Sequence, residues 1–103
     1  MNSTFAEINL NYLVKNYLNI RKKTSTKVMA VVKADAYGHG MIECAKALNS
    51  LDENGPEYYG VALIKEAIEL RKSTKIKKPI LCFAPFDFCQ INNYSKFKIY
   101  LSL

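Results

Sequence analysis

Apolar residues along the chain follow two patterns. Short continuous runs rich in β-branched and aromatic residues are typical of buried strands, and an apolar residue at every third or fourth position is typical of an amphipathic helix. The strand-like runs occupy residues 27–33, 58–62, 79–84 and 98–103. The helix-like stretches that precede or separate them occupy residues 11–23, 41–51 and 64–72, and residues 88–94 predict only one or two weak helical turns.

The N-terminal segment has a pattern of its own. Residues 4–10 alternate apolar and polar positions, which predicts a short strand ahead of the first helix. Asn9 or Asn11 would then cap that helix, because an Asn side chain accepts hydrogen bonds from the free backbone N–H groups of a first turn.

The order of the elements predicts the fold class. Helices and strands alternate, and the strands are continuous apolar runs, as in parallel sheets that are buried on both faces. Crossover connections between parallel strands are right-handed almost without exception. The 103 residues therefore predict an α/β protein of about three and a half βα units, which is too little chain for a closed (β/α)8 barrel.

One predicted strand ends in a residue that buried strands rarely carry. Residues 28–32 (Val-Met-Ala-Val-Val) lead directly to Lys33, and a short polar segment with two glycines separates this lysine from the next helix. Lysine is almost never fully buried without a partner or a task. Burial of a lysine disfavours its charged form, and a neutral amine can form a Schiff base with a carbonyl group. The alternative is a lysine that extends its charged end into solvent beside a glycine turn.

The sequence around this lysine resembles the pyridoxal-phosphate attachment motif of bacterial alanine racemases. The match is continuous over residues 30–40, Ala-Val-Val-Lys-Ala-Asp-Ala-Tyr-Gly-His-Gly. Residues 59–71 are similar to the family pattern Phe-Gly-Val-Ala, a small or hydroxylated residue, then Leu-Glu-Glu-Ala-x-Glu-Leu-Arg. There Leu63 replaces the usual capping residue and Lys65 replaces an acid, which predicts a weaker helix N-terminus. The resemblance extends over residues 5–83.

The resemblance implies a fold and a site. Alanine racemases are built from a TIM-type (β/α)8 barrel and a C-terminal β domain, so residues 1–103 would form the N-terminal segment of the cofactor-binding barrel. Residues 1–10 would be the strand that precedes the barrel, and the β domain would be absent. The family holds pyridoxal 5'-phosphate as an internal aldimine on the motif lysine, which corresponds to Lys33. Its motif tyrosine, Tyr37, would reach the cofactor phosphate, and Val31 would face the cofactor.

The reaction implied by the resemblance interconverts L- and D-alanine and supplies D-alanine for peptidoglycan. Lys33 would exchange the α-proton on one face of the substrate. The family takes its second base, a tyrosine, from the β domain of the other subunit of a homodimer, and it sets an arginine against the pyridine nitrogen. Neither has a counterpart in residues 1–103, so we expect the isolated chain to be incomplete as a racemase. Asp35 and His39 are interpreted as structural residues of the motif.

Charge and cysteine usage bear on partners and compartment. The net charge is +6, but the lysines are spread along the chain, which favours a solvated surface over a nucleic-acid interface. The densest group, residues 75–78, precedes a proline and is interpreted as a solvated loop.

Three cysteines without a Cys-x-x-Cys pair fit a reducing compartment. The chain has no signal-peptide core and no apolar run near the ~18 residues of a membrane span, so we expect a cytoplasmic protein without a membrane segment.

Three interpretations remain open. The first is the N-terminal segment of an alanine racemase that binds pyridoxal phosphate. The second is a racemase of another amino acid, since the specificity residues of the family lie downstream. The third is a non-catalytic truncated fragment. A single-domain pyridoxal-phosphate carrier of the same barrel class is disfavoured, because those carriers lack the Tyr-Gly-His-Gly continuation.

Overall fold

The computed structural model describes residues 3–32, 40–85 and 87–101, without the side chains of residues 3–9 and 88. Within these residues, four helices and four strands alternate. Short 3-10 turns cover Asp52–Asn54 and Phe88–Gln90. The helices and strands in chain order are α1 Ser3–Lys23, β1 Met29–Val31, α2 Gly40–Asn49, β2 Tyr58–Val61, α3 Ile64–Ser73, β3 Ile80–Cys82, α4 Ile91–Lys96 and β4 Ile99–Leu101.

The strands form one parallel sheet in the order β1-β2-β3-β4. The register aligns Ala30 with Tyr59, Tyr59 with Ile80, and Ile80 with Ile99. Because side chains alternate along a strand, these residues share one face, which the helices cover. The α/β class and the partial barrel predicted from the sequence are confirmed.

The predicted strand over residues 4–10 is wrong. Helix α1 begins at Ser3 and continues to Lys23, so Asn9 and Asn11 lie inside the helix and do not cap it. A strand needs a neighbour for its backbone groups, and the sheet of the described residues pairs only β1 to β4 with one another. A helix pairs those groups within its own segment.

The core lies between the helices and the covered face of the sheet. Tyr59, Val61 and Ile80 of the strands are fully buried there. The helices contribute an aromatic residue from α1 and aliphatic residues from α2 and α3. These are Tyr17, Met41, Ala45, Leu48, Ala67 and Leu70. Helix α3 packs against β2 and β3, and α4 packs against β4, while α1 and α2 pack side by side, as do α2 and α3.

Helix α1 is also tied to the loops before β1 and β2. The Tyr17 hydroxyl donates to the Asn54 carbonyl oxygen at 2.6 Å. The Arg21 guanidinium donates through both terminal nitrogens to the Glu57 carboxylate, a two-point geometry that lysine cannot offer. The backbone N–H of Val28 donates to the same carboxylate at 2.8 Å. These donors lower the pKa of Glu57 to about 2.

The Glu57 contact predicts a defined pH dependence of stability. A carboxyl whose pKa falls from 4.5 to about 2 on folding stabilises the fold fully above pH 4.5, and this stabilisation is lost as the pH falls toward 2. Between these values the thermal midpoint of the native chain should therefore fall more steeply than that of Glu57→Gln. At neutral pH the variant should have the lower midpoint. Thermal melts followed by circular dichroism check both results, and Glu53→Gln, on an exposed neighbouring turn, should leave the native pH profile unchanged.

The hydroxyl of Tyr59 is buried without a hydrogen-bond partner among the described residues, and burial raises its pKa. Tyr59→Phe removes only this oxygen, so we expect the free energy of unfolding to be unchanged or to rise by up to about 1 kcal/mol. Tyr17→Phe removes a hydroxyl that does have a partner, and it should lower the same quantity by about 1 kcal/mol. Urea unfolding measures the free energy of unfolding of the two variants. A clear loss of stability in Tyr59→Phe would contradict the conclusion that the Tyr59 hydroxyl has no hydrogen-bond partner among the described residues.

Candidate functional site

The carboxyl ends of the four parallel strands lie along one edge of the sheet. In βα barrels, active sites collect at this edge. Val32 is the last described residue after β1, and Lys33 follows it directly. Lys33 and Tyr37, with Asp35 and His39, lie outside the described residues, so their roles stay predictions. The chain places them between the carboxyl end of β1 and the first residue of α2, Gly40.

The two residues before Lys33 face opposite sides of the sheet. Val32 is buried on the helix-covered face. Val31 lies on the other side, with 57% of its surface exposed. We name this other side of the sheet the open face. Val31 is thus positioned on the side where a barrel interior would lie, and its contact with a cofactor stays a prediction.

Gly60 marks a close approach of side chains on the open face. A Cβ atom at Gly60 would lie 2.8 Å from Cε2 of Phe83 and 3.0 Å from Sδ of Met29. Any larger residue would therefore displace these side chains. The Phe83 ring and Met29 close over the middle of β2 and form an apolar floor, which sequence analysis missed. The signal that could have found Phe83 is its spacing of two from Leu81, which places both on one face of a strand.

Glu66 organises the loop between β2 and α3 at the same edge. One carboxylate oxygen accepts from the backbone N–H of Leu63 at 2.8 Å and from that of Ala62 at 3.1 Å. Leu63 occupies the N-cap position and makes no side-chain hydrogen bond there. The predicted weakening of the helix N-terminus stays a prediction, because Glu66 reaches back one turn and accepts hydrogen bonds from the two backbone N–H groups of the loop.

Arg71 organises the loops at the opposite end of the sheet, where β3 and β4 begin. Its Nε donates to the carbonyl oxygen of Phe97 at 2.9 Å, and its Nη1 donates to those of Ile76 and Lys78, both at 2.9 Å. Its Nη2 donates to the carbonyl oxygen of Lys98 at 3.1 Å. Burial lowers the pKa of Arg71. One side chain thus holds the entries to β3 and β4 together, and sequence analysis did not predict it.

Two shallow cavities of about 480 and 420 Å³ lie beside the C-terminal ends of α2 and α3. The 480 Å³ cavity is lined by Lys46, Lys72 and Lys75 among others, and a cation near the C-terminal end of a helix interacts favourably with the negative end of the helix dipole. In residues 3–32, 40–85 and 87–101, no group of three or more His, Cys, Asp or Glu could hold a metal ion. Over the same residues, no helix combines the length and the apolar character needed to cross a membrane.

Comparison with known proteins gives one consistent family. The family model described as "Alanine racemase, N-terminal domain" matches residues 8–103. A curated alanine racemase of Clostridium kluyveri is 53% identical over 92 residues, and one of Pseudomonas entomophila is 47% identical over 81 residues. These matches cover 85% and 79% of this chain, but only 22% and 21% of the relatives.

Solved structures agree with the sequence matches. The alanine racemase of Streptomyces coelicolor A3(2) superposes with a TM-score of 0.77 at 31% identity, covering 91% of this chain and 25% of that one. The alanine racemase of Clostridium difficile 630 gives a TM-score of 0.73 at 34% identity, with 92% and 24% covered. The present chain spans about a quarter or less of the length of these proteins.

Proposed function

The chain belongs to the family of alanine racemase N-terminal domains, and from this premise we propose that it is the cofactor-binding part of an alanine racemase. The activity is the interconversion of L- and D-alanine, which supplies D-alanine for peptidoglycan. The cofactor is pyridoxal 5'-phosphate, held by Lys33. The observation that carries the proposal is a parallel sheet whose first strand ends in the attachment motif, in a chain that matches the family model over residues 8–103.

The described surroundings of the motif fit a flat aromatic cofactor. Val31 is exposed on the open face, two residues before the motif lysine. Phe83 and Met29 form an apolar floor over Gly60 on the same face. Glu66 holds the neighbouring loop at the carboxyl ends of the strands. An apolar surface beside a few placed polar groups is the usual make-up of a cofactor site.

The tasks of this chain's own residues follow from that placement. Bound pyridoxal phosphate supplies an electron sink that makes the α-proton of an amino acid acidic. Lys33 would bind the cofactor aldehyde through its amine, and the same amine would move the α-proton on one face of the substrate. Tyr37 would donate a hydrogen bond to the phosphate and orient the ring. A base for the other face has no candidate in residues 1–103, so it would come from the remainder of a racemase, in a cytoplasmic homodimer.

Chemical trapping tests the role of Lys33. Borohydride reduction in the presence of pyridoxal phosphate should attach the cofactor to Lys33, as read from a peptide map, because a Schiff base forms fastest at a placed neutral amine. Lys33→Arg should lose the label. Lys27→Arg, which changes an exposed lysine just before β1, should keep it. Label spread evenly over the other twelve of the thirteen lysines would reject the assignment.

A further inference from the structure

Basic residues that are spread along the sequence are gathered at one end of the folded sheet. The last turns of the helices and the segments that lead into the four strands lie where the strands begin, and we name this the amino end. Twelve of the fifteen lysines and arginines fall in these parts of the chain, which are residues 21–28, 46–57, 71–79 and 96–98. The same parts hold three carboxylates, and that of Glu57 is paired with Arg21. Positive charge is therefore concentrated at the amino end.

The cavity of about 480 Å³ lies at the amino end, between the last turns of α2 and α3. Three lysines line it, Lys46, Lys72 and Lys75. The other lining residues are one asparagine and three residues with a hydroxyl group, so no carboxylate is among them. All of them belong to the described part of the chain, within residues 46–75, and the volume is that of an ordinary small-ligand site.

The lysines of this cavity have little negative charge beside them. Among the described residues, neither Lys72 nor Lys75 forms an ion pair. Lys46 approaches Glu43 only to 4.0 Å, and both side chains are more than half exposed, so solvent screens that pair. The Lys72 ammonium lies 5.7 Å from the centre of the Phe97 ring, which attracts a cation without neutralising it. The three positive charges are therefore available to an external anion.

The carbonyl oxygens at the ends of α2 and α3 would repel an anion, but several of them already accept hydrogen bonds. The N–H of Ser50 donates to the Lys46 carbonyl oxygen at 3.0 Å, and its hydroxyl donates to that of Ala47 at 2.7 Å. At the end of α3, the N–H and the hydroxyl of Thr74 both donate to the Leu70 carbonyl oxygen. These donors offset part of the negative end of each helix dipole.

We propose that the cavity between α2 and α3 binds a small anion that carries two or more linked phosphate groups. Linked phosphates concentrate several negative charges in a small volume, and lysine binds phosphate as a point charge. The side chains of Asn49 and Ser73 also line the cavity. Neither makes a hydrogen bond among the described residues, so both can donate to phosphate oxygens. The site lies at the opposite end of the sheet from the attachment motif, so it goes beyond the proposed function and does not depend on it.

Isothermal titration calorimetry of the 103-residue chain with sodium tripolyphosphate tests the site. We expect one anion per chain, with a dissociation constant of about 10–100 µM at low salt. The constant should rise severalfold between about 50 and about 200 mM sodium chloride, because salt screens exposed charges. Inorganic monophosphate should bind about tenfold more weakly, because one phosphate cannot reach all three lysines. Absence of binding at about 1 mM tripolyphosphate would overturn the proposal, and so would equal binding of the two anions.

Titrations with ATP and adenosine, without magnesium, distinguish two sources of linked phosphates. If an inorganic polyphosphate is the ligand, ATP should bind no more tightly than tripolyphosphate. If a nucleotide is the ligand, ATP should bind about tenfold more tightly, because the base and the sugar add contacts. Adenosine should bind much more weakly than ATP in both cases. Equal binding of adenosine and ATP would overturn the proposal, because the phosphates would then not be recognised.

Substitutions of single lysines test where the anion lies. Lys72→Gln and Lys75→Gln should each raise the dissociation constant for tripolyphosphate by about fivefold or more. Lys27→Gln removes an exposed charge from the amino end but outside the cavity, and Lys65→Gln removes one from the opposite end. Each of these should change the constant by less than about twofold. Equal effects of Lys27→Gln and Lys75→Gln would overturn the proposal, because the whole amino end would then attract anions, as a nucleic-acid interface does.

A neutral substitution tests the cavity without changing the charge. Ser73 lies at the exposed end of α3 and lines the cavity, so Ser73→Trp should fill the space and weaken tripolyphosphate binding by about tenfold or more. Ser25→Trp makes the same change at an exposed position of the amino end outside the cavity, and it should leave binding unchanged. Far-UV circular dichroism establishes that each variant is folded. Unchanged binding by folded Ser73→Trp would place the anion elsewhere and overturn the proposal.

Discussion

Alanine incubated in deuterated solvent with the 103-residue chain and pyridoxal phosphate should exchange its α-proton slowly and keep its configuration. In the proposed mechanism Lys33 serves one face of the α-carbon, and the proposal assigns no residue of 1–103 to the other face. Absence of a placed general acid–base group costs about 10²–10⁴-fold in rate, and incomplete positioning of the substrate costs more. Racemisation should therefore fall at least this far below that of a complete alanine racemase, such as the Clostridium kluyveri relative.

Proton NMR follows the exchange, and chiral chromatography of the same samples follows inversion. Lys33→Ala should abolish exchange above the level given by free pyridoxal phosphate, whereas Lys27→Ala should retain it. Efficient inversion by the purified chain would show that a second base lies within residues 1–103. Exchange that persists in Lys33→Ala would remove this lysine from the reaction.

Arg71→Met should lower the free energy of unfolding more than any other single substitution at the end of the sheet where the strands begin. The substitution keeps much of the apolar stem but leaves four carbonyl oxygens without the guanidinium. Hydrogen bonds to a charged group contribute about 1.5–3 kcal/mol each when well shielded. Arg71 is only partly buried, and solvent screens exposed charges, so we expect a total loss of about 2–4 kcal/mol in the free energy of unfolding.

Urea unfolding followed by circular dichroism measures the loss. Lys65→Met removes a cation from an exposed position of the same helix and should change the free energy of unfolding by less than about 0.5 kcal/mol. Arg71→Lys keeps the charge but not the planar guanidinium group. Its loss in the free energy of unfolding should therefore be more than half of the loss in Arg71→Met. Equal effects of Arg71→Met and Lys65→Met would show that the four carbonyl contacts do not stabilise the fold.

The helices and the parallel strands could be predicted because each is encoded within its own segment. The apolar run at residues 58–62 and the helical spacing at 64–72 correspond to β2 and α3 within one or two residues. The resemblance to the attachment motif could also be recognised, since its residues are contiguous, while the roles of Lys33 and Tyr37 stay predictions. The segment at residues 4–10 was predicted wrongly. Its alternating pattern is typical of a strand, but a strand needs a neighbouring strand to pair with, and α1 extends through this segment instead.

The contacts that link distant segments could not be predicted from the pattern. Arg71 occupies a polar position in a helical pattern, and two of its carbonyl partners lie 26 and 27 residues away. Glu57 follows a loop signal, and its ion pair with Arg21 spans 36 residues. Phe83 follows the end of a strand, and its packing over Gly60 depends on the register of β2 with β3. Each of these depends on how elements are placed, which periodicity does not report.

The sequential order of the strands has a consequence for how the molecule is made. Each strand pairs with the next one in the chain, as Met29 pairs with Tyr58, Tyr59 with Ile80, and Ile80 with Ile99. Every loop that must close between neighbours is therefore of similar, moderate length, and loop-closure entropy rises only slowly with length. A chain emerging from the ribosome can add one strand and one helix at a time to a growing edge, without waiting for its last residues.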